Sequence, residues 1–318
     1  MHPTPDPEVL IVTEENEGHR IDSLLTAHYP DYSRTYFQKL IKHGFVLLNG
    51  QPVKKRVEPE EGDEIEVLFQ YTQESPLTPE NIPLDILYED DHIIAVHKPA
   101  GMVVHPAPGH FSGTFVNALL YYCKQIEGLD PIRPGIVHRL DKETSGVLLA
   151  AKTPLAHQKL VEKFSAREME KTYLAFCVGK PRSGILSAPL GRHPVHRKEI
   201  AVIPDGKEAI TEIQILALND QFSLVLAKPK TGRTHQIRVH LKYAGAPILG
   251  DSVYGSQRMN KECEVDRQLL HAYRLSFQHP ITGTPLTISA PIPKDLGSWM
   301  QRLSTASSIP LVKFANNS

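Results

Sequence analysis

Apolar residues in this chain fall into short runs, each about the length of one strand, and the runs do not alternate regularly with helical segments. Strands are predicted over residues 92–97, 136–138, 146–151, 172–178, 211–218, 222–227, 270–277 and 286–289. Helices are predicted in the same region over 114–122, 154–167, 234–243 and 294–303. The second of these has Thr153 as N-cap and Pro154 in its first turn, with Ala156, Leu160, Val161 and Phe164 as its apolar stripe. A doubly wound parallel sheet needs a helix between successive strands. The pattern instead predicts an α+β fold, a mixed, mostly antiparallel sheet flanked by helices. The longest apolar runs, such as 147–151, are far too short to cross a bilayer.

The N-terminal part has a different character. Residues 18–57 carry seven Lys/Arg and two Asp, a local net charge of +5. Ile21, Leu24 and Leu25 have helical spacing. Ser33 is placed to cap a second helix that ends near Gly44 and buries Phe37, Leu40 and Ile41. Arg34, Gln38 and Lys42 then share one outward stripe, and Lys39 adds to its charge. That stripe is either a binding surface or a plain solvated helix face. Asn49-Gly50 is a hairpin turn, and a strand is expected at 65–69. The predicted organisation is a loose arm over 1–17 with one short strand at 9–12, a small module over 18–70 and a Pro-containing linker over 71–83. A large domain over 84–305 and a tail over 306–318 follow.

Composition narrows the function classes. The balance of 35 Lys+Arg against 36 Asp+Glu excludes a wholly basic coat protein, though not local basic surfaces. The three cysteines, Cys123, Cys177 and Cys263, are far apart and form no CxxC, which argues against a disulfide framework or a thiolate zinc site and for a reducing, cytoplasmic setting. No signal peptide is expected, because the first residues lack a basic region followed by an apolar run. GxGxxG, Walker A, HExxH and GxSxG patterns are all missing, so no cofactor and no metal are expected.

Four segments carry chemistry. In PGIVHRLDKETSGVLLAAKT (134–153) Asp141 stands at a predicted strand end, where a turn opens onto a cleft, beside His138, Arg139 and Lys142. Nearby cations favour an ionised carboxylate; an Asp that merely caps its own turn fits the pattern too. In KPKTGRTHQIRVHLKYAG (228–245) Lys230, Arg233, Thr234, His235 and Arg238 lie within a stretch, 221–249, that contains no acid. That stretch suits an anionic partner better than a plain charged face. His235 and His240 are five apart and share no helix face, which disfavours a metal. GRHPVHRK (191–198) offers Arg192, His193 and Arg197 in an exposed loop, for phosphate contact or as a plain basic loop. HKPAGMVVHPAPGH (97–110) is a stiff loop of the sort that lines sites. Tyr173 is either a stacking platform or a core aromatic.

These residues carry a resemblance. HRLDKETSG (138–146) and GRTHQIRVH (232–240) are similar to the signature blocks of the RluA/RluD-type pseudouridine synthases, and HKPAG, LGRHP, GDSVYG and LLHA extend the match in order. Arg20-Ile21-Asp22, Ser33-Arg34, Gly44 and Gly62-Asp63 resemble the alpha-L RNA-binding motif shared with a small-subunit ribosomal protein. APLGRHP and the appended module make the chain similar to the RluD-like group that acts on large-subunit ribosomal RNA. The resemblance implies a sheet with a central catalytic cleft, a small α/β RNA-binding module and cofactor-free isomerisation of uridine to pseudouridine. It implies Asp141 as the essential aspartate, Arg139 as the residue filling the space of the flipped base, Tyr173 packed on the uracil and Arg233 paired with the aspartate. His138, Lys142, Arg192, His193, Arg197, Lys230, Thr234, His235, Arg238, Arg34, Lys39 and Lys42 are then expected to bind RNA. The expected partner is ribosomal RNA or a pre-ribosomal particle, met by a monomer without membrane attachment. Transfer RNA as substrate, a non-catalytic ribosome-assembly protein and a metal-assisted hydrolase built on the 16 His are the competing readings.

Overall fold

The computed structural model describes residues 7–14, 18–29, 32, 34–69, 77–105, 112–123, 126, 134–196 and 199–306. The chain divides into two compact units, 1–77 and 78–318.

The first unit runs β1 (Glu8–Ile11), α1 (Ile21–His28), α2 (Arg34–Lys42), β2 (Val46–Leu48), β3 (Gln51–Pro52) and β4 (Glu64–Val67). Its antiparallel sheet has the order β1-β4-β2-β3. β1 pairs with β4 along its whole length, so the strand expected in a loose arm is an edge of this sheet. Ile21, Leu25, Phe37, Leu40, Val46, Ile65 and Val67 are fully buried and form the core. Asp22 is buried with them. Arg34 donates to it through Nε and Nη2, each at 3.0 Å, and Gln38 donates at 2.6 Å. Two of the three residues of the outward stripe therefore tie α2 to α1, because a buried carboxylate demands partners. Ser33 lies outside the described residues.

The second unit begins with β5 (Ile86–Glu89), β6 (Ile93–Lys98), α3 (Phe115–Tyr122), β7 (Ser145–Ala151), α4 (Pro154–Ser165) and β8 (Glu170–Val178). Next come β9 (Gly184–Ser187), β10 (Leu190–Arg192), β11 (Ile200–Val202), β12 (Ile210–Leu218), β13 (Phe222–Pro229) and α5 (Gln236–Tyr243). The last elements are α6 (Gln257–Glu262), β14 (Leu270–Gln278), β15 (Pro285–Ser289) and α7 (Lys294–Ala306). The main sheet has the order β5-β6-β7-β14-β8-β13-β12-β9, with β15 on β14. Its one parallel pair among the described residues is β7 with β14. The expected mixed, mostly antiparallel architecture is the one observed.

Where β7 meets β14 the backbones nearly touch. Gly146 has φ 122°, and a Cβ there would stand 2.2 Å from Ala272 O, so only glycine fits. This contact places the turn before β7 beside the start of β14. The predicted strand at 136–138 does not form beyond a single bridge, Ile136 to Ala150. The segment covers the open edge of β7 instead: Gly135 O accepts from Ala151 N at 2.9 Å, and Leu149 N donates to His138 Nε2 at 2.9 Å. An imidazole takes the place of a strand carbonyl, which frees the chain beyond it to turn into a cleft.

Candidate active site

A cleft of about 470 Å³ opens in the second unit between the 137–141 segment, β8 and the 229–238 segment. That lies within the range of about 300–1,000 Å³ common for small-ligand sites. Six Lys/Arg line it, Arg139, Arg167, Lys171, Lys230, Arg233 and Arg238, against one carboxylate, Asp141.

Asp141 rests in a turn pinned from three directions. Its carbonyl accepts from Thr144 N at 3.1 Å. Gln268 donates to Thr144 Oγ1 at 3.1 Å, and Arg267 donates to Glu143 O at 3.1 Å. Lys142 O accepts from Gly101 N at 2.9 Å and from Lys98 Nζ at 3.0 Å. Lys98 is wholly buried and also donates to Pro99 O and Met102 O at 2.8 and 2.9 Å. Burial pushes its ammonium down to about 7, against the opposing charges of Glu143 and Asp141. The described part of the stiff loop read from the sequence, 97–105, thus holds the turn that carries Asp141; residues 106–110 of that loop lie outside the described residues.

The carboxylate's ionic partner is Arg238. Its Nη1 is 2.9 Å from Asp141 Oδ2. The expectation that Arg233 pairs with Asp141 is corrected: Arg233 is exposed at the cleft rim and donates its Nε to Glu208 O at 3.0 Å. Arg238, expected among the RNA-binding residues, is buried and paired with two carboxylates. It is 5% exposed and grips the fully buried Asp251 through two parallel bonds of 2.7 and 2.9 Å. Burial alone would push the guanidinium down, but Asp251 and then Asp141 hold it above its ordinary value. Burial likewise opposes the charge on Asp251, yet Arg238 and the N–H groups of Tyr254 and Val253 keep it below the usual carboxylate range. The second oxygen of Asp141, Oδ1, lies 3.9 Å from His235 Nε2.

Tyr173 points from β8 into the same cleft. Burial, then the Asp141 charge, push its hydroxyl well above the ordinary phenol range, so it is uncharged. Arg139 is exposed on the cleft wall, and Thr234 and Lys230 stand at its rim, Lys230 paired with Glu212 at 3.1 Å. His138 stacks on Phe164 with centroids 4.9 Å apart. Arg192 lies on β10, and His193 accepts from Val195 N and His196 N at the tip of the β10–β11 hairpin. Neither residue is among those lining the cleft. Arg197 lies outside the described residues. Sequence reasoning gave no role to Lys98, Asp251 and Tyr254, although HKPAG and GDSVYG stood out as blocks. Lys171 and Arg167 also line the cleft without a role expected from the sequence, because a strand start and a helix end give no sign of facing a cleft. Among the described residues no group of three or more His, Cys, Asp or Glu could hold a metal ion, and no helix is long and apolar enough to cross a membrane.

Two histidines, His271 buried and His138 half-buried, make stability depend on pH. Burial, then the charge of Lys171, lowers His138 to about 3. Burial, then His97, lowers His271 to about 4. The unfolded chain binds protons first as pH falls below about 6.5, so stability held at neutral pH is lost between about 6.5 and these values. Each group adds up to about 1.4 kcal/mol per pH unit. His138→Gln keeps an acceptor for Leu149 N–H. Denaturant titrations between about pH 6 and pH 4.5 should therefore show the slope reduced by about that amount; an unchanged slope would contradict the neutral imidazole.

The sequence profile of the RNA pseudouridylate synthase family matches residues 92–243, and that of the S4 domain matches 19–65. The first span holds Asp141, Tyr173 and Arg238 but not Asp251 or Tyr254. An uncharacterized RNA pseudouridine synthase of Aquifex aeolicus is 42% identical, over 93% of this chain and 98% of its own. Ribosomal large subunit pseudouridine synthase D of Xanthomonas campestris pv. campestris is 39% identical, over 93% of this chain and 91% of its own. Its namesake in Neisseria meningitidis serogroup A is 42% identical, over 90% and 79%. The structure of human RNA pseudouridylate synthase domain containing 4 superposes with a TM-score of 0.56 at 25% identity, covering 71% of this chain and 94% of that one. Fold, cleft and relatives together define an RNA-modifying isomerase. The chain belongs to the RNA pseudouridylate synthase family, with an S4 domain as its N-terminal unit.

Proposed function

We propose that this synthase isomerises chosen uridines of large-subunit ribosomal RNA, with Asp141 as the catalytic carboxylate. The observation that carries the reading is the asymmetry of that carboxylate. Oδ2 is tied to Arg238 at 2.9 Å, while the side chain keeps 21% of its surface open in a cationic cleft. The relatives from Xanthomonas and Neisseria, named for the large ribosomal subunit, and the S4 unit support the choice of RNA.

The reaction breaks the bond from ribose carbon-one to uracil nitrogen-one, turns the ring and rejoins it through carbon-five. The target base must leave its stack to reach a carboxylate on a cleft floor. Arg139, exposed on the wall, suits the gap that the base leaves. Tyr173 packs against the detached ring, a contact of about 1–3 kcal/mol. An anionic carboxylate can add to carbon-one, stabilise an oxocarbenium-like state or remove a sugar proton. Lys171, Lys230, Arg233 and Arg167 attract the phosphates, so affinity should fall as salt rises.

The test is a map of pseudouridines in ribosomal and transfer RNA from cells with and without the gene. Loss of specific pseudouridines from the large-subunit RNA, restored by the wild-type gene, is the expected result. Loss confined to transfer RNA would refute the choice of substrate.

A further inference from the structure

His235 stands at the head of α5 in a left-handed backbone conformation, φ 55° and ψ 18°. Such a conformation in a non-glycine residue persists only where its surroundings enforce it. Gln236 does so. Its buried carboxamide accepts from Thr231 Oγ1 at 2.7 Å and Arg233 N at 3.0 Å, and donates to Ile210 O and Thr211 Oγ1 at 2.9 and 3.0 Å.

The imidazole so placed bridges two groups. Nδ1 is 2.8 Å from the Tyr254 hydroxyl, and Nε2 faces Asp141 Oδ1 at 3.9 Å. Tyr254 is 2% exposed, and its hydroxyl already accepts from Ile200 N at 2.9 Å. Its own proton must therefore go to His235 Nδ1, because a buried hydroxyl left without an acceptor is unfavourable. A neutral ring that accepts at Nδ1 carries its proton on Nε2. Burial first, with Arg238 and Arg139 adding and Asp141 opposing, keeps His235 below its ordinary value, which agrees with a neutral ring. At 3.9 Å the Nε2–H is too far from Asp141 for a hydrogen bond. It is a fixed donor beside the catalytic carboxylate, in the lining of the cleft.

We propose that His235 is a further catalytic residue, donating a hydrogen bond from Nε2–H to the uracil ring as the bond to ribose carbon-one breaks, and that Tyr254 is the positioning residue that sets its tautomer. The bonding electrons pass onto the ring and spread over its nitrogen and carbonyl oxygens. A neutral donor stabilises that charge, and no proton leaves the imidazole. The inference rests on Asp141 being the catalytic carboxylate.

The experiment uses the full-length protein and in vitro transcribed large-subunit ribosomal RNA with tritium at uracil carbon-five, following tritium release over a range of RNA concentrations up to saturation. His235→Leu and His235→Gln bear the same backbone strain, but only Gln offers an N–H. The Leu variant should lose about 10²-fold in rate with little change in KM, and the Gln variant should recover at least about tenfold of it. Tyr254→Phe keeps the ring, which lies 4.9 Å from the Arg238 guanidinium, and removes only the hydroxyl. Without that donor the neutral imidazole is less favoured, and a protonated ring would pair with Asp141 in place of the substrate, so the acid-side fall of the rate should move to higher pH. Asp141, Arg139, Arg238 and Asp251 surround the ring in both proteins, so the difference reports His235. A Leu variant within about threefold of wild type, a Gln variant no better than Leu, or an unmoved pH profile in Tyr254→Phe each overturns the proposal. Asp141→Asn is run alongside: if it alone keeps its rate, the functional reading fails first and takes this inference with it.

Discussion

Asp141→Asn should release no measurable tritium from uracil carbon-five, a loss of at least about 10³-fold, or more than about 4 kcal/mol of barrier. Asn keeps the shape and still offers Arg238 an oxygen, but it can neither add to ribose carbon-one nor take a sugar proton. Binding should survive. The variant removes the one carboxylate that lines the cleft and leaves its six cations in place, so affinity for the RNA should stay within about threefold and the salt slope should be unchanged. Folding should survive as well, because Arg238 retains both bonds to Asp251. Turnover within tenfold of wild type, with binding intact, would show that the carboxylate is not the reacting group.

That Asp141 stands in a turn opening onto a cleft was legible in the sequence, from the polar turn and apolar strand that follow it. Gly146, five residues on, has a local reason to be glycine that only the fold reveals: the approach of β14, more than a hundred residues away. The choice between Arg233 and Arg238 was not legible. Both stand in one short basic block, and which of them faces Asp141 depends on where the helix begins. The helix begins at Gln236 rather than at Thr234, since His235 turns left-handed and the Gln236 carboxamide ties down the loop before it. That start turns Arg238 inward and leaves Arg233 at the rim. The acid-free stretch also looked more cationic than it is. Lys228 meets Glu170 at 2.8 Å and Lys230 meets Glu212 at 3.1 Å, both acids coming from other strands. The same holds in the S4 unit, where Arg34 turns back onto Asp22. Charge counted along a chain cannot see neutralisation across a sheet or between helices.

Arg238→Met should cost both stability and turnover, and the two losses should separate. Asp251 has no exposed side-chain surface. Without the guanidinium its charge keeps only the N–H groups of Val253 and Tyr254, both bonded to Oδ1 at 2.9 Å. Breaking a buried ion pair from one side typically costs about 3–5 kcal/mol, because the remaining charge is left uncompensated. Asp251→Asn in the same chain removes that charge and keeps the Oδ1 acceptor for both N–H groups. The double variant should therefore regain at least about 2 kcal/mol in denaturant unfolding relative to Arg238→Met alone. Turnover should not return. Asp141 still lacks its partner at 2.9 Å, and the Nη1–H that fixes Oδ2 is gone. Both variants should release tritium at least about 10²-fold more slowly than wild type. A single variant as stable as wild type would mean that Asp251 is not held as a buried anion. A double variant with restored turnover would mean that Arg238 serves only to neutralise Asp251, and that the catalytic carboxylate needs no fixed cation.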